Sequence, residues 1–549
     1  MTATTLDVET TSVLSVTDLI VGVRGVADPL VAGVSFDLRA GEAVGLVGES
    51  GSGKTLSVMA AADLLPKGVE RRSGSIVLAG TDLDSLGAQV RRRHVTDRVG
   101  VVFQNPTASL NPRLTVAAQL TEVVRAHETS GSAAARVREL LELVRIPDAD
   151  RVLAAYPHEL SGGLNQRVAI AMALAASPAV LVADEATTAL DVTTQREVLE
   201  MLGDLRRDLG LALLLVSHDM GVVADTTDRV LVMRGGEIVE EGRTASLLAA
   251  PEHPYTRELL DALPQRLTHD GAGVTPTAAD ADPILTLRGI TVDFAAPGGV
   301  RRRARKRVLH GIDLDVEPGR SLGIVGESGS GKTTLARVIA GLQAPSDGEL
   351  SLGSAGGWNN LRRTDRARWR REVQYVFQDP YGSLNPRLTV AQCIREPLDA
   401  NPETRGTAAD RVRALMDEVH LPVELEHRRT SSLSGGQRQR VGIARSLATN
   451  PRVLIGDEPV SALDVTVQAR ILRLMKDLVA RRGMSLLFIS HDLAVVSYLC
   501  EQVVVVRDGR IVESGPTREL LSSPTTEYTR KLVDAIPGAS LPDLLPTFS

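Results

Sequence analysis

The feature that most constrains this chain is a long internal repeat. GESGSGKT runs from Gly48 to Thr55 and again from Gly326 to Thr333, and LSGG begins at Leu160 and at Leu433. An Asp-Glu pair stands at Asp184–Glu185 and Asp457–Glu458, and Ser-His-Asp occurs at Ser217–Asp219 and Ser490–Asp492. The copies of the last three motifs lie 273 residues apart and those of the first 278 apart, so the halves differ by about five net residues after the Gly-rich loop. Four motifs in one order at nearly constant spacing mean that a whole domain was duplicated. A chain of 549 residues accommodates two such domains, each able to bury a substantial core.

Between the halves, Leu267 to Pro283 reads LTHDGAGVTPTAADADP, polar and without a helical period, as a flexible linker does. The organisation expected is a first domain at 14–264, a linker at 265–283, a second domain at 284–538 and a tail at 539–549.

Within each half, short apolar runs such as Ala43 to Val47 and Leu322 to Val325 lead into the Gly-rich loop and then a helical stretch. Later runs, Val180 to Ala183 and Val453 to Gly456, end at the acidic pairs; Leu211 to Val216 and Leu486 to Ile489 end at Ser-His-Asp. Buried apolar strands alternating with helices predict a parallel sheet covered on both faces, an α/β fold. From Gln104 to Ser161 the period is helical instead, with Val137, Leu140, Leu141 and Val144 on one face, and Val412, Leu415, Met416 and Val419 matching them in the second half. A helical subdomain is expected inside each α/β core.

Each loop has the form GxxxxGK[ST]. Its glycines let backbone N–H groups converge on phosphate oxygens at a helix start, where the helix dipole favours anions. Gly48, Ser50, Gly51, Ser52 and Gly53, with Gly326, Ser328, Gly329, Ser330 and Gly331, are therefore candidate phosphate-binding residues. Lys54 and Lys332 are expected to reach the β- and γ-phosphates, and the Thr55 and Thr333 hydroxyls to bind Mg²⁺. Asp184 and Asp457, at strand ends, are the further candidate Mg²⁺ ligands, and Glu185 and Glu458 the groups that polarise attacking water. His218 and His491 are candidate γ-phosphate sensors. Gln104 in VVFQNP and Gln378 in YVFQDP are placed to bond both Mg²⁺ and the attacking water.

Net charge narrows the partners. At −6 the chain offers no basic surface for nucleic acid, with one local exception, RRRARKR at Arg301 to Arg307, read as a solvated loop between strands rather than a nucleic-acid or anionic-lipid patch. Cys393 and Cys500 are far apart and in no metal-ligand spacing, so a disulfide framework, zinc site or iron–sulfur cluster is not expected, and a reducing cytosol fits. The N-terminus lacks a basic start followed by an apolar core, and no apolar run reaches the ~18 residues a spanning helix needs. If the protein works at a membrane, other chains must cross it.

LSGGQRQR at Leu433 to Arg440 resembles the signature of ATP-binding cassette (ABC) proteins, and YPHELSGGLNQR at Tyr156 to Arg167 its counterpart. The resemblance implies two tandem ABC-type nucleotide-binding domains, each a RecA-like α/β core with an N-terminal antiparallel β region and an inserted helical subdomain. It further implies that ATP and Mg²⁺ are the cofactors and that the domains pair within one chain, so that each signature faces the nucleotide of the other. Ser161, Gly162 and Gly163 would then serve Lys332, and Ser434, Gly435, Gly436 and Gln437 would serve Lys54. TALD at Thr188 to Asp191 and SALD at Ser461 to Asp464 resemble the D-loops that link such sites.

FQDPYGSLNPRLTV, DEPVSALDVTVQ and the tails HPYT (His253 to Thr256) and EYT (Glu527 to Thr529) narrow the resemblance to ATPases of dipeptide and oligopeptide importers, a group that includes nickel and glutathione importers. The halves resemble D-type and F-type subunits fused in one chain. This implies two transmembrane permease subunits and an extracellular solute-binding protein as partners, no nucleic acid, and a peripheral position on the cytoplasmic face of the cell membrane. Departures fall mostly in half one: Leu164 stands where Gln is common, Ala186 where Pro is usual, and Val23 where an aromatic would stack on adenine, a place Phe294 keeps in half two. D-type ATPases often hold an iron–sulfur cluster through C-terminal cysteines, and half one has none. The competing expectation, a soluble tandem cassette acting on ribosomes or nucleic acid, has only RRRARKR in its support and lacks a long charged helical linker.

Overall fold

The structure is a computed structural model. It describes residues 12–127, 132–187, 190–267, 282–295, 305–353, 363–401, 405–461 and 463–538. The chain divides into two compact units, Met1–Asp261 with Pro537–Leu545, and Ala262–Ile536 with Pro546–Ser549.

In the first unit a six-stranded sheet runs in the order Glu237–Arg243, Arg229–Arg234, Ala43–Val47, Ala212–Ser217, Val180–Asp184, Val99–Val102. All neighbours are parallel except the edge strand Glu237–Arg243. The three strands that lead into motifs, Ala43–Val47, Val180–Asp184 and Ala212–Ser217, are buried along their whole length, which is why their sequences read as continuous apolar runs. A second, antiparallel sheet carries Pro29–Arg39, Ser12–Val23, Val69–Leu78 and Thr81–Asp82. Its inner face shares one apolar core with the parallel sheet, from Leu14, Leu19 and Leu38 to Leu46, Val182 and Leu214. Gly538 closes this unit from far along the chain: its N–H donates to Asp225 Oδ2 at 2.6 Å, at the end of the helix Met220–Thr226.

The second unit repeats the plan with the order Val373–Val376, Val453–Asp457, Ser485–Ile489, Ser321–Val325, Gln502–Arg507, Arg510–Pro516, beside an antiparallel sheet of Arg305–Val316, Leu285–Ala295 and Asp347–Leu352. Its core includes Leu287, Ile324, Ile455 and Leu487, with Trp369 donating its indole N–H to Ile339 O at 2.9 Å.

The α/β class and the inserted helical segments agree with the sequence pattern. Helices Val116–His127, Ala133–Leu143 and Ala149–Ala154 occupy the insert of the first unit, and Val390–Ala400 and Ala408–Glu418 that of the second. Val137, Leu140, Leu141 and Val144 are buried together, as are Val412, Leu415, Met416 and Val419.

Two expectations fall partly beyond the described residues. The linker is one, since 268–281 lie outside them. RRRARKR is the other: Arg301 to Ala304 lie outside, while Arg305 to Arg307 open a strand rather than a loop, and Arg307 Nε donates to Asp293 Oδ1 at 2.8 Å. No described helix is long and apolar enough to cross a membrane.

Candidate active site

Each unit assembles one constellation at the carboxyl ends of its parallel strands, where ligands bind in open α/β sheets. Strand Ala43–Val47 delivers the Gly-rich loop, whose last residues open the helix Lys54–Ala61. The loop needs glycine for close approach: at Gly48, φ is 150° and a Cβ would lie 2.1 Å from Met233 O. Gly326 has φ of 149° and the same 2.1 Å obstacle in Val506 O. Lys54 is buried, and its ammonium donates to Gly48 O at 2.8 Å and Glu49 O at 2.9 Å. Lys332 makes the same pair of bonds to Gly326 O and Glu327 O, both at 2.7 Å. The hydroxyls of Ser52 and Ser330 are buried without a hydrogen-bond partner among the described residues, as suits groups that serve a ligand oxygen.

The acidic pairs stand where their sequence position predicts. Asp184 ends the strand Val180–Asp184, and its Oδ1 accepts from Thr55 Oγ1 at 3.3 Å. Asp457 Oδ1 accepts from Thr333 Oγ1 at 3.2 Å. Glu185 and Glu458 follow in the left-handed backbone region, with φ of 48° and 45°, a conformation that costs a non-glycine residue and turns the side chain out of the strand's alternation. The sheet holds that turn, because the Glu185 N–H donates to Val216 O at 2.9 Å and the Glu458 N–H to Ile489 O at 3.0 Å.

The glutamates are then gripped from both sides. Glu185 Oε2 accepts from Gln104 Nε2 at 2.6 Å, and Glu185 Oε1 lies 3.3 Å from His218 Nδ1. In the second unit Gln378 Nε2 donates to Glu458 Oε2 at 2.9 Å, and His491 Nδ1 is 3.1 Å from Glu458 Oε1. Gln104 and Gln378 follow the strands Val99–Val102 and Val373–Val376, and the histidines follow Ala212–Ser217 and Ser485–Ile489. Three separate strand ends thus meet on one carboxylate.

Electrostatics separates neighbouring acids. Burial, then the charge of the adjacent glutamate, pushes Asp184 above its ordinary value. Burial raises Asp457 as well, against the bonds from Tyr375 and Thr333. Burial also pushes Glu185 and Glu458 upward, but the bond and charge of the facing histidine, helped by the loop lysine, bring both below the ordinary value. The histidines show the converse, burial lowering them and the glutamates raising them to a net increase. The base candidate is therefore ionised and its histidine favours the charged form.

The signature residues form helix starts. Ser161 caps Gly162–Ala173, its Oγ accepting the Leu164 N–H at 3.3 Å. Ser434 caps Gly435–Leu447 with a reciprocal box: Ser434 Oγ accepts the Gln437 N–H at 3.3 Å, and Gln437 Oε1 accepts the Ser434 N–H at 3.0 Å. Leu164 cannot return the second bond, which gives that departure from the repeat a physical meaning. Gly163 and Gly436 are sites of close helix packing, since a Cβ would lie 2.5 Å from Thr194 Cγ2 or Val467 Cγ1. Phe294, near the end of Leu285–Ala295, is 41% exposed, an open apolar face that Val23 does not match in area. Of the D-loop candidates, Thr188, Ala189 and Ala462 lie outside the described residues, while Asp191 and Asp464 cap the helices Val192–Leu209 and Val465–Arg482.

Sequence reasoning missed two things. Tyr375 donates to Asp457 Oδ2 at 2.5 Å, a contact whose only trace in the sequence is YVFQ against VVFQ. The tyrosines of HPYT and EYT also reach the site: the Glu49 N–H donates to Tyr255 Oη, and the Glu327 N–H to Tyr528 Oη, each at 2.9 Å.

The family model described as ABC transporter matches residues 31–188 and 309–461, and the model described as Oligopeptide/dipeptide transporter, C-terminal region, matches 239–283 and 512–545. Two similar proteins are both named Glutathione import ATP-binding protein GsiA. The one from Salmonella choleraesuis (strain SC-B67) is 41% identical over 548 residues and the one from Escherichia coli (strain K12) 41% identical over 544, each match covering 93% of this chain and 86% of the relative. Among solved structures, the dimeric post-hydrolysis state of the ATP-binding cassette MJ0796 is 27% identical over 42% of this chain and 98% of that chain, with a TM-score of 0.38.

Proposed function

The chain belongs to the ABC transporter family of ATP-binding proteins and is the ATP-hydrolysing component of an importer that acts with membrane permeases; from that membership we propose that each of its units carries a hydrolytic site. The observation that carries the proposal is the double grip on Glu185 and on Glu458 by a glutamine and a histidine from different strand ends.

Lys54 and Lys332, with the loop N–H groups and the Ser52 and Ser330 hydroxyls, bind the ATP phosphates. The donor set beside them, a threonine hydroxyl, an aspartate and a glutamine amide oxygen, is all hard oxygen and suits a cation that keeps waters and phosphate oxygens in its shell. Mg²⁺ would be held by Thr55, Asp184 and Gln104 in one site and by Thr333, Asp457 and Gln378 in the other, and when bound it neutralises charge on the phosphates.

Glu185 and Glu458 orient the attacking water. Their carboxylates lie below the ordinary range, so they are weak bases in the ground state and act by aligning a water that loses its proton as the phosphoryl group departs. His218 and His491 fix the carboxylate from one side and present a charge to the γ-phosphate; Gln104 and Gln378 fix it from the other. The serines Ser161 and Ser434 and the helix-start N–H groups of Gly162, Gly163, Gly435 and Gly436 suit phosphate oxygens.

The partners we infer are two permease subunits and an extracellular solute-binding protein, with the chain peripheral on the cytoplasmic face of the membrane. The cargo class is small peptides or glutathione, supported by the matched C-terminal region and by what the relatives are named for. Reconstitution with two permease subunits and a solute-binding protein, followed by uptake of labelled dipeptides, glutathione and nickel, tests this. ATP-dependent entry of dipeptide or glutathione supports it; ATP hydrolysis with entry of nickel alone refutes the cargo class.

A further inference from the structure

The repeat ends, in both units, on a tyrosine that the hydrolytic chemistry does not use. Tyr255 lies on the helix Pro254–Asp261 and Tyr528 on the helix Glu527–Asp534, and both rings are buried. A buried phenol needs a hydrogen-bond partner. Each finds one in the Gly-rich loop, 206 residues back for Tyr255 and 201 for Tyr528.

The bond falls on one particular peptide. The Gly48–Glu49 unit accepts from Lys54 Nζ through its carbonyl at 2.8 Å and donates to Tyr255 Oη through its N–H at 2.9 Å. The Gly326–Glu327 unit does the same with Lys332 at 2.7 Å and Tyr528 at 2.9 Å. A peptide is planar, so holding the N–H at one edge sets the direction of the C=O at the other. Met233 O and Val506 O wall the preceding glycines so closely that a Cβ would lie 2.1 Å away, which leaves the peptide little freedom but rotation about its flanking bonds. The tyrosine hydroxyl restrains that rotation.

The tyrosines are themselves anchored by the same C-terminal region. Glu240, on the edge strand, accepts from the N–H groups of Glu252 at 2.7 Å and His253 at 3.1 Å just before the first tail helix. Glu513 accepts from the N–H groups of Thr525 at 2.8 Å and Thr526 at 3.1 Å before the second. The last residue of the neighbouring strand completes each seat, Arg234 lying 4.6 Å from the Tyr255 ring centroid and Arg507 4.8 Å from that of Tyr528. All four anchor and hydroxyl residues fall inside the two stretches that match the C-terminal region model.

We propose that Tyr255 and Tyr528 are positioning residues for ATP binding: each hydroxyl fixes the first peptide of its Gly-rich loop so that the peptide carbonyl presents the loop lysine, and the C-terminal region thereby acts as a latch on the nucleotide site. The proposal rests on the loops being ATP sites. It concerns binding, since neither tyrosine bonds the glutamates that orient water. Removing the hydroxyl frees the peptide to rotate, and ATP must then order it.

The test compares the full chain with its Tyr255→Phe, Tyr528→Phe and doubly substituted variants, which keep the rings and lose only the hydroxyls. Equilibrium titration with a fluorescent ATP analogue, KM and kcat for ATP, and the nucleotide-free Tm are read for each. The expected result is a rise of about 3- to 10-fold in Kd and KM in the double variant, with kcat within about twofold and a folded chain whose nucleotide-free Tm falls by no more than a few degrees, the scale of one neutral hydrogen bond per site. Glu513→Gln, which loosens the seat of Tyr528 without touching it, should weaken binding in the same direction. Unchanged affinity in folded Tyr→Phe variants, or a loss of affinity in those variants that is accompanied by unfolding of the nucleotide-free chain, overturns the latch. If the unsubstituted chain fails to bind the analogue at all, the reading of the loops as ATP sites fails instead.

Discussion

Tyr375 donates its phenolic hydrogen to Asp457 Oδ2 at 2.5 Å, and the corresponding residue of the first unit, Val101, has no hydrogen to give. The two candidate cation sites are thereby chemically unequal although their motifs match. The bond supports the ionised carboxylate that burial disfavours. Tyr375→Phe should therefore raise the Mg²⁺ concentration needed for half-maximal ATP turnover by about 3- to 10-fold, the scale of one hydrogen bond to a charged group partly offset by the cation. Turnover measured against Mg²⁺ at fixed ATP gives the answer; Val101→Ala should leave the curve in place.

The gripped glutamates carry the second prediction. Glu185→Gln combined with Glu458→Gln should lower ATP turnover by about 10²- to 10⁴-fold, the usual contribution of a water-orienting base, while ATP binding persists. Each single substitution should lower turnover too. Unchanged turnover in Glu185→Gln would mean that the first site does not hydrolyse.

These glutamates mark how far the sequence alone reaches. These candidates, with Asp184 and His218, were legible because each ends or closely follows an apolar run that reads as a buried strand, Lys54 because it closes a Gly-rich loop, and all because the motifs recur. Their left-handed backbone was not legible, since nothing local to DEA or DEP announces a positive φ; it comes from a bond to Val216 O or Ile489 O on the adjacent strand. Tyr375 was hidden for a similar reason. Its partner becomes visible only when Val373–Val376 and Val453–Asp457 are known to be neighbours. HPYT and EYT stood out only as tails that narrow the resemblance, and a hydroxyl that reaches across two hundred residues of chain leaves no periodic trace.

Acid should remove the stabilisation that Glu513 gives the second tail. Burial raises Glu513, but the bonds from Thr529, Thr525 and Thr526 outweigh it and hold the carboxylate down to about 2, against an ordinary 4.5. A depressed folded value means stabilisation that is fully present above pH 4.5 and is lost as the pH falls through that value toward about 2. Glu513→Gln should thus lower the Tm near neutrality, and the gap from the unsubstituted chain should close progressively below pH 4.5. Thermal unfolding of both proteins across pH 3 to 7 measures it. A gap that widens in acid would contradict the assignment.

Gly48→Ala and Gly326→Ala test the walls of the loops. Each new methyl would have to sit 2.1 Å from a carbonyl oxygen, so the loop must move. The thermal stabilisation that ATP gives the unsubstituted chain should disappear at the altered site. Gly51→Ala, whose added methyl meets nothing within 4 Å, should retain part of it despite a φ of 82°.

The bond from Gly538 to Asp225 has a consequence for how the protein is made. Its partners are separated by 313 residues, so at ~5 to 20 residues per second the first unit waits roughly 15 to 60 s of synthesis for its last segment to emerge. The half translated first is the one finished last. A gene divided between the two halves would yield a first product whose helix Met220–Thr226 ends on a carboxylate lacking that donor, and the missing strip would have to be supplied by the other product.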